Sequence, residues 1–422
     1  MIRSMFSAIS GLRNHQTMMD VVGNNIANVN TAGFKSSATV FEDVLSQSVR
    51  GATAATGTTG GTNANAIGLG SKVAAISTNL SQGSLQRTGR ATDFAIQGEG
   101  FFAVDKAGER LYTRAGSLTT DALGRVTTTD GGFVQGWQAD ATGNIVTTGP
   151  TGKVAIPVGD TIPAVRSTIV KSGGNLPADA VVGTVLTNAV DVYDGQGSPV
   201  TLHMEYTKTA ADTWKVECRY VNPATNALVP APPAAGQAVT GGPLTFNGSG
   251  ELTSSFNLTL AAGFLPNFPT QAITLNLGVA AGPGRITQFG VINSVAVHEQ
   301  DGSAAGTLQG FNVGQDGTLI GTYTNGRSRQ IGQLALASFA NPEGLEQAGG
   351  TSFHETVNSG IANLGVAGVG RGLISEGTLE MSNVDLATEF TNLIIAQRGF
   401  QANSRVITTS DEMLQEVVNL KR

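Results

Sequence analysis

NNIANVNTAGFK (residues 24–35) closes a stretch that reads as a helix, and it does so with a crowd of amides. Asn24, Asn25, Asn28 and Asn30 are weak helix formers, because their side chains compete for backbone hydrogen bonds and tolerate left-handed geometry. They predict a helix stop, with the chain turning outward at Thr31-Ala32-Gly33. Upstream, Ile2, Met5, Ile9, Leu12, Gln16, Met19, Gly23 and Ile26 recur at alternating steps of three and four. That is a heptad seam with polar or small interruptions at Gln16 and Gly23.

The other end of the chain repeats the pattern. Leu386, Phe390, Leu393, Gln397, Phe400, Ser404, Ile407, Asp411, Leu414 and Val418 also alternate steps of four and three. Ser382 followed by Asp385 offers a weak capping box at the start of this helix. Gln397, Ser404 and Asp411 make the seam too wet for a stable isolated coiled coil. Two ordinary amphipathic helices packed in a core would satisfy the same periodicity, but these two cap both ends of a chain whose middle is β-like.

That middle is poor in charge and rich in turns. Only 13% of the 422 residues are charged and 56 are Gly, which points to many turns and to surfaces of Thr, Ser, Asn and Gln. Residues 51–70, GATAATGTTGGTNANAIGLG, hold no charge and read as a loop or extended linker. From about residue 90, strands alternate with turn signals: DFAIQGEGFFAVD, then turns at Ala122-Leu123-Gly124, Asp130-Gly131-Gly132 and Asn325-Gly326. The nearly mirror-symmetric order predicts nested domains, mainly β with α-helical ends. Terminal helices are expected over 1–30 plus 380–422, forming a coiled-coil-like inner domain. A connecting region is expected over 31–88 plus 362–379, a β domain over 89–160 plus 286–361, and an outer inserted β domain over 161–285.

Chemistry is hard to find. The net charge of −6 leaves no basic stripe to neutralise phosphates, so nucleic acid is not expected as a partner. A single cysteine, Cys218, excludes an intramolecular disulfide and a multi-cysteine metal site. His15, His203, His298 and His354 are scattered, without metal-ligand spacing. No nucleophile elbow, dinucleotide loop or Walker sequence is present, and Asp194-Gly195 makes a turn rather than half of a carboxylate pair. No metal, cofactor or catalytic group is expected. MIRSMFSAISGL at the start is too interrupted by serines for a signal peptide, and no run reaches the length of a membrane span.

The two ends resemble a known family. NNIANVNTAGFK closely resembles the signature of bacterial flagellar axial proteins, the rod, hook and hook-associated subunits. LEMSNVDLATEFTNLIIAQRGFQANSRVITTSDEMLQEVVNLKR (379–422) resembles their matching C-terminal end. DVYDGQGSPVTLHMEY (191–206) and EQDGSAAGTLQGFNVGQDGTLIGTYTNGRSRQIGQLALASFANPEGL (299–345) look like the hook members of the family.

The resemblance implies a structural subunit that polymerises into a curved hollow tube and passes motor torque to the filament as a flexible joint. It also implies export through the flagellar type III apparatus and an extracellular location. The implied partners are further copies of the chain, the rod at the proximal end, and hook cap and hook–filament junction proteins at the distal end. The terminal helices, weak alone, are expected to gain order on assembly. The candidate subunit-packing residues are Ile2, Met5, Ile9, Leu12, Met19, Asn24, Asn25, Ile26, Asn28, Asn30 and Phe34. Leu386, Phe390, Leu393, Gln397, Phe400, Asn403, Ile407, Leu414 and Val418 complete the set. For the asparagines a local helix stop and an interface role both stay open. A distal-rod-like shaft subunit and a secreted adhesin are the rival readings. The 160–285 insertion argues against the first, and helical ends argue against the second.

Overall fold

The computed structural model describes residues 2–419 apart from 57, 222–227, 231–242, 254, 256, 261–264, 266–271, 277–284 and 291; the side chains of Ile2 and 228–230 are also outside the described set. The chain is mainly β with one long helix at each end. It divides into two compact units, Met1–Val158 with Phe311–Gly321 and Arg329–Arg422, and Gly159–Gly310 with Thr322–Ser328. No helix among the described residues is long and apolar enough to cross a membrane.

The first unit holds the termini. Helix α1 (Ile2–Ala27) packs against α2 (Leu386–Asn419). Asp385, rather than Ser382, caps α2: its carboxylate accepts the Ala387 N–H at 3.0 Å and the Thr388 hydroxyl at 2.8 Å. Ser382 accepts only from Val384, so the helix starts one turn later than the Ser382–Asp385 box would place it.

After α1 the chain forms a two-stranded ribbon. β1 (Ser37–Asp43) pairs antiparallel with β4 (Ser71–Thr78), and β2 (Ser46–Arg50) pairs with β3 (Asn65–Gly68). The composition of 51–70 predicts a loop or extended linker. Instead the ladder continues to a Thr53–Thr62 bridge whose hydroxyls meet at 2.7 Å. Backbone hydrogen bonds, and not apolar burial, hold this end together.

Beyond the ribbon, β5 (Leu85–Arg87) pairs with Thr378–Glu380, and β6 (Phe94–Gln97) pairs with Leu373–Glu376. The outgoing and returning passes of the chain thus run side by side. A sheet follows in the order Phe133–Gln138, β7 (Phe101–Lys106), β8 (Glu109–Thr113), Ser352–His354 and Glu346–Gly349. Phe101 stacks edge-on against Phe339 and Phe353 at 5.9 and 5.8 Å, and Tyr112 against Phe339 at 4.8 Å. Edge-to-face pairs of this kind add about 0.5–1.5 kcal/mol beyond area burial. This aromatic cluster anchors the body on which the termini are mounted.

The second unit is built on an antiparallel meander, Val185–Tyr193, Pro199–Ala210 and Thr213–Val221. Val200, Leu202, Met204 and Tyr206 alternate inward along the middle strand and meet Trp214, Val216 and Cys218, as period-two side chains on a half-covered sheet must. Asp194 is buried, and its carboxylate accepts the Gln196 and Ser198 N–H groups, which fixes the turn expected there. Burial alone pushes the Cys218 thiol up to about 12.

Candidate subunit-packing site

The helix pair is antiparallel and in strict register. Asn25 of α1 meets Glu389 of α2, His15 meets Gly399, and Gly11 meets Asn403. Each step up one helix is thus matched by an equal step down the other. A Cβ on Gly399 would lie 2.4 Å from the His15 ring, and one on Gly11 would lie 2.8 Å from the Asn403 amide. A mid-helix glycine costs roughly 1 kcal/mol of helix propensity, and close approach of the facing side chain is the reason both positions carry one.

The contact face is made of small and polar residues. Ala8, Val22 and Asn25 are buried on α1, and Glu389, Ala396 and Ser410 on α2. This seam lies one residue before the positions that sequence periodicity selects on α1. On α2 it shares Leu393, Phe400, Ile407 and Leu414 but replaces Phe390, Gln397, Ser404 and Asp411 by their preceding neighbours. Periodicity followed the largest apolar side chains, whereas two helices this close meet at their smallest.

At the foot of α1 the asparagines divide their work. The Asn25 amide is fully buried: it donates to Ser37 O at 2.8 Å and to Glu389 Oε1 at 3.1 Å, and accepts the Ser37 N–H at 3.0 Å. It therefore pairs with β1 as another strand would, while also tying both to α2. Asn28 donates back to the Asn24 carbonyl at 2.9 Å and accepts from Thr31, a local helix stop. Asn24 and Asn30 are exposed. Gly33 then turns at φ +72, where a Cβ would sit 2.5 Å from Ala115 N; only glycine fits both conditions.

Next to that turn lies a buried charge cluster. Glu380 Oε1 accepts from Lys35 Nζ at 2.6 Å and from the Gly83 N–H at 2.9 Å, while Arg114 Nη1 stands 3.5 Å from Oε2. The three side chains are between 0% and 5% exposed. Lys35 also donates to Ser81 O, and Arg114 to Gly98 O. Burial holds the Lys35 ammonium below its ordinary value despite the opposing pull of Glu380, and it does the same to Arg114. Arg114 Nε has no partner among the described residues. Asn383 completes the lacing, accepting from Ser36 N and donating to Asn79 O, both at 2.8 Å. The segments after α1, before α2 and at the base of the β body are thus locked to one another.

Comparison with known proteins gives this geometry its context. Four family descriptions match in chain order. They are "Flagella basal body rod protein" over 5–35, "Flagellar hook protein FlgE/F/G D1 domain" over 95–177, "Flagellar basal body protein FlaE D2 domain" over 177–303, and "Flagellar basal body rod FlgEFG protein C-terminal" over 375–420. The flagellar hook protein FlgE of Treponema pallidum is 39% identical over 100% of both chains, and that of Borreliella burgdorferi is 38% identical, again over 100% of both. The chain belongs to the flagellar hook protein family. A flagellar basal-body rod protein FlgG of Bacillus subtilis is similar at 30% identity over 100% of both chains, below the hook relatives.

For a hook-family chain the sides of the helix pair matter as much as its seam. Leu386, Phe390, Gln397 and Val418 are exposed, while Leu393, Phe400, Asn403, Ile407 and Leu414 are half-buried beside α1. Met5, Ile9, Leu12, Met19 and Ile26 are half-buried on α1, and Ile2 opens it. Phe34 is half-buried and lines a cleft with Asn24 and Asn28. Sequence reading missed a second stripe, Ile395, Ala402, Val406, Met413 and Val417, spaced by seven and four along α2 and exposed throughout. It also missed Lys35, Arg114 and Glu380. Lys35 and Glu380 sit inside the two terminal motifs, and that placement was the signal available to find them.

Proposed function

We propose that the chain is a structural subunit of the flagellar hook that polymerises into a hollow helical tube and transmits torque as a flexible joint. The observation that carries this reading is α2 itself. Its seam toward α1 is filled, yet apolar stripes remain uncovered on its sides, with Phe390 50%, Ile395 54% and Met413 55% exposed. Exposed apolar stripes of this length mark surfaces meant for a partner, and in a homopolymer the partner is another copy. The helix pairs of successive copies would form the inner tube. Packing there would give α1 and α2 the order that isolated helices lack.

The low charge of the outer surface supports sliding contacts. Exposed Thr, Ser, Gly and Gln form wet, exchangeable hydrogen bonds instead of locked ion pairs, as a joint that bends during rotation requires. Export through the flagellar type III apparatus, the rod below, and cap and junction proteins above complete the reading. The role is structural rather than catalytic. Val406→Asp with Met413→Asp tests it: the monomer keeps its circular dichroism spectrum, and cells lose hooks and motility. Hooks of normal length and curvature from this variant would overturn the reading.

A further inference from the structure

The exposed charges of the helix pair are sorted by height. Asn25 faces Glu389, His15 faces Gly399 and Gly11 faces Asn403, so a level on α1 can be assigned to every residue of α2. Arg13 stands level with the stretch between Arg398 and Arg405, and no carboxylate joins them there. Asp411, Glu412 and Glu416 come later on α2, level with the start of α1, where Arg3 is the one described cation. The remaining exposed charge, Asp20, stands level with Ile394, outside both bands. None of these exposed groups forms an ion pair among the described residues. Lys421 and Arg422 follow α2 and lie outside the described residues.

On α2 the charges form a row. Arg398, Arg405 and Glu412 are spaced by seven, and Glu416 lies one turn beyond Glu412. The row turns away from α1, because Ala396 and Asn403, which lie against α1, precede Arg398 and Arg405 by about 200° of helix. It borders the exposed apolar stripe: Arg398 follows Ile395, Arg405 follows Ala402 and Glu416 follows Met413, each by three residues. Asp411 stands off the row, and Gln415 Nε2 donates to it at 3.0 Å.

A lone helix gains nothing from this arrangement. No residue three or four away from any of the four carries the opposite charge, while Glu412 and Glu416, four apart, repel each other. Glu416 also lies in the last turn, which holds no basic residue, where the helix dipole favours a cation. A pattern that disfavours the monomer is explained by a partner that presents the opposite charge in the same spacing, and this chain carries that complement on its own row.

We propose that the charged row of one copy pairs with the same row of a neighbouring copy, shifted along the axis so that Arg398 and Arg405 of one meet Glu412 and Glu416 of the other. Neighbouring copies of α2 run parallel in a helical polymer. Without a shift, arginine would face arginine and glutamate would face glutamate, and that repulsion selects against the unshifted packing. Arg405 to Glu416 is 11 residues and Arg398 to Glu412 is 14, so the shift is about 17–21 Å at 1.5 Å per residue. The apolar stripe supplies the contact area and the charged rim sets its register. Basic and acidic bands are different patches, so the contact is heterologous and propagates as an open polymer. The inference rests on the polymer reading above and adds the axial register between copies.

Three variants replace the wild-type copy in cells that assemble hooks: Arg398→Glu with Arg405→Glu, Glu412→Arg with Glu416→Arg, and all four changes together. Each two-residue reversal is expected to lower the number of hooks per cell by about tenfold or more, with the circular dichroism of the monomer unchanged. The four-residue swap restores opposite charges at the same shift and is expected to restore hooks. Normal hooks from either reversal, or a swap no better than the reversals, overturns the register. Helical reconstruction of wild-type hooks serves if a variant fails to fold. An Arg398 or Arg405 guanidinium within about 4 Å of a neighbouring copy's Glu412 or Glu416 carboxylate supports the register, and arginines with no such neighbour overturn it. Wild-type protein that never forms hooks would overturn the polymer reading itself, and the register with it.

Discussion

Glu380→Ala removes the one anion that two buried cations share. At an effective dielectric constant of about 20, the gross attraction is about 6 kcal/mol across the 2.6 Å to Lys35 and about 5 kcal/mol across the 3.5 Å to Arg114. Most of that is offset by desolvation, and breaking a buried pair from one side nets about 3–5 kcal/mol of destabilisation. The Gly83 N–H loses its acceptor as well. Lys35→Met is expected to cost less, about 1–3 kcal/mol, because Glu380 keeps Arg114 and Gly83. The sign of the pH dependence follows from Lys35, which burial already holds below the ordinary lysine value of 10.5. Without Glu380 it falls further, so in the window between its folded value and 10.5 the unfolded chain binds more protons and stability rises with pH. The deficit of Glu380→Ala should therefore shrink as pH climbs toward 10.5. Trp137, buried in the first unit, reports urea unfolding in a Trp214→Phe background. A loss below about 1 kcal/mol, or Lys35→Met proving the worse variant, would refute the idea that Glu380 is the shared counter-charge.

Asn25→Ala should cost about 2–3 kcal/mol, because it leaves the Ser37 N–H and carbonyl without their partner. Exposed Asn24→Ala should stay within about 0.5 kcal/mol, and denaturant melts of the two compare them directly. Gly33→Ala meets both a left-handed φ and a backbone atom 2.5 Å away; a loss above about 2 kcal/mol and faster exchange at 33–37 are expected. Gly399→Ala gains about 1 kcal/mol of helix propensity but drives a methyl into the His15 ring. Overpacking of about 1–3 kcal/mol should win, lowering the helical melting temperature by circular dichroism, and a higher one would contradict the register.

The helical ends, the β middle and its turns at Gly124, Gly131 and Gly326 were legible, because heptad spacing and glycine-bearing turns are local signals. The Gly/Thr ribbon was not, since its strands are joined by backbone bonds and threonine hydroxyls that leave no apolar pattern. The seam was displaced by one residue along α1 and at every second position of α2, because Ala8, Gly11 and Ala396 are small and a reading weighted by hydrophobicity passes over them. The charge cluster was the hardest to see. Lys35 and Glu380 lie 345 residues apart, and a lone charge in a sequence looks like surface until the fold closes around it.

The central claim is that antiparallel α1–α2 pairs of many copies line the inner wall of a hook. Electron microscopy of flagellar basal structures, from cells whose copy carries a tag between residues 222 and 240, tests it most directly. The account predicts tag density along a short curved segment outside the outer membrane. Helical reconstruction of that segment should place Ile395, Val406 and Met413 against neighbouring copies. Density confined to the straight periplasmic shaft, or a reconstruction that leaves those side chains facing open solvent, would contradict it.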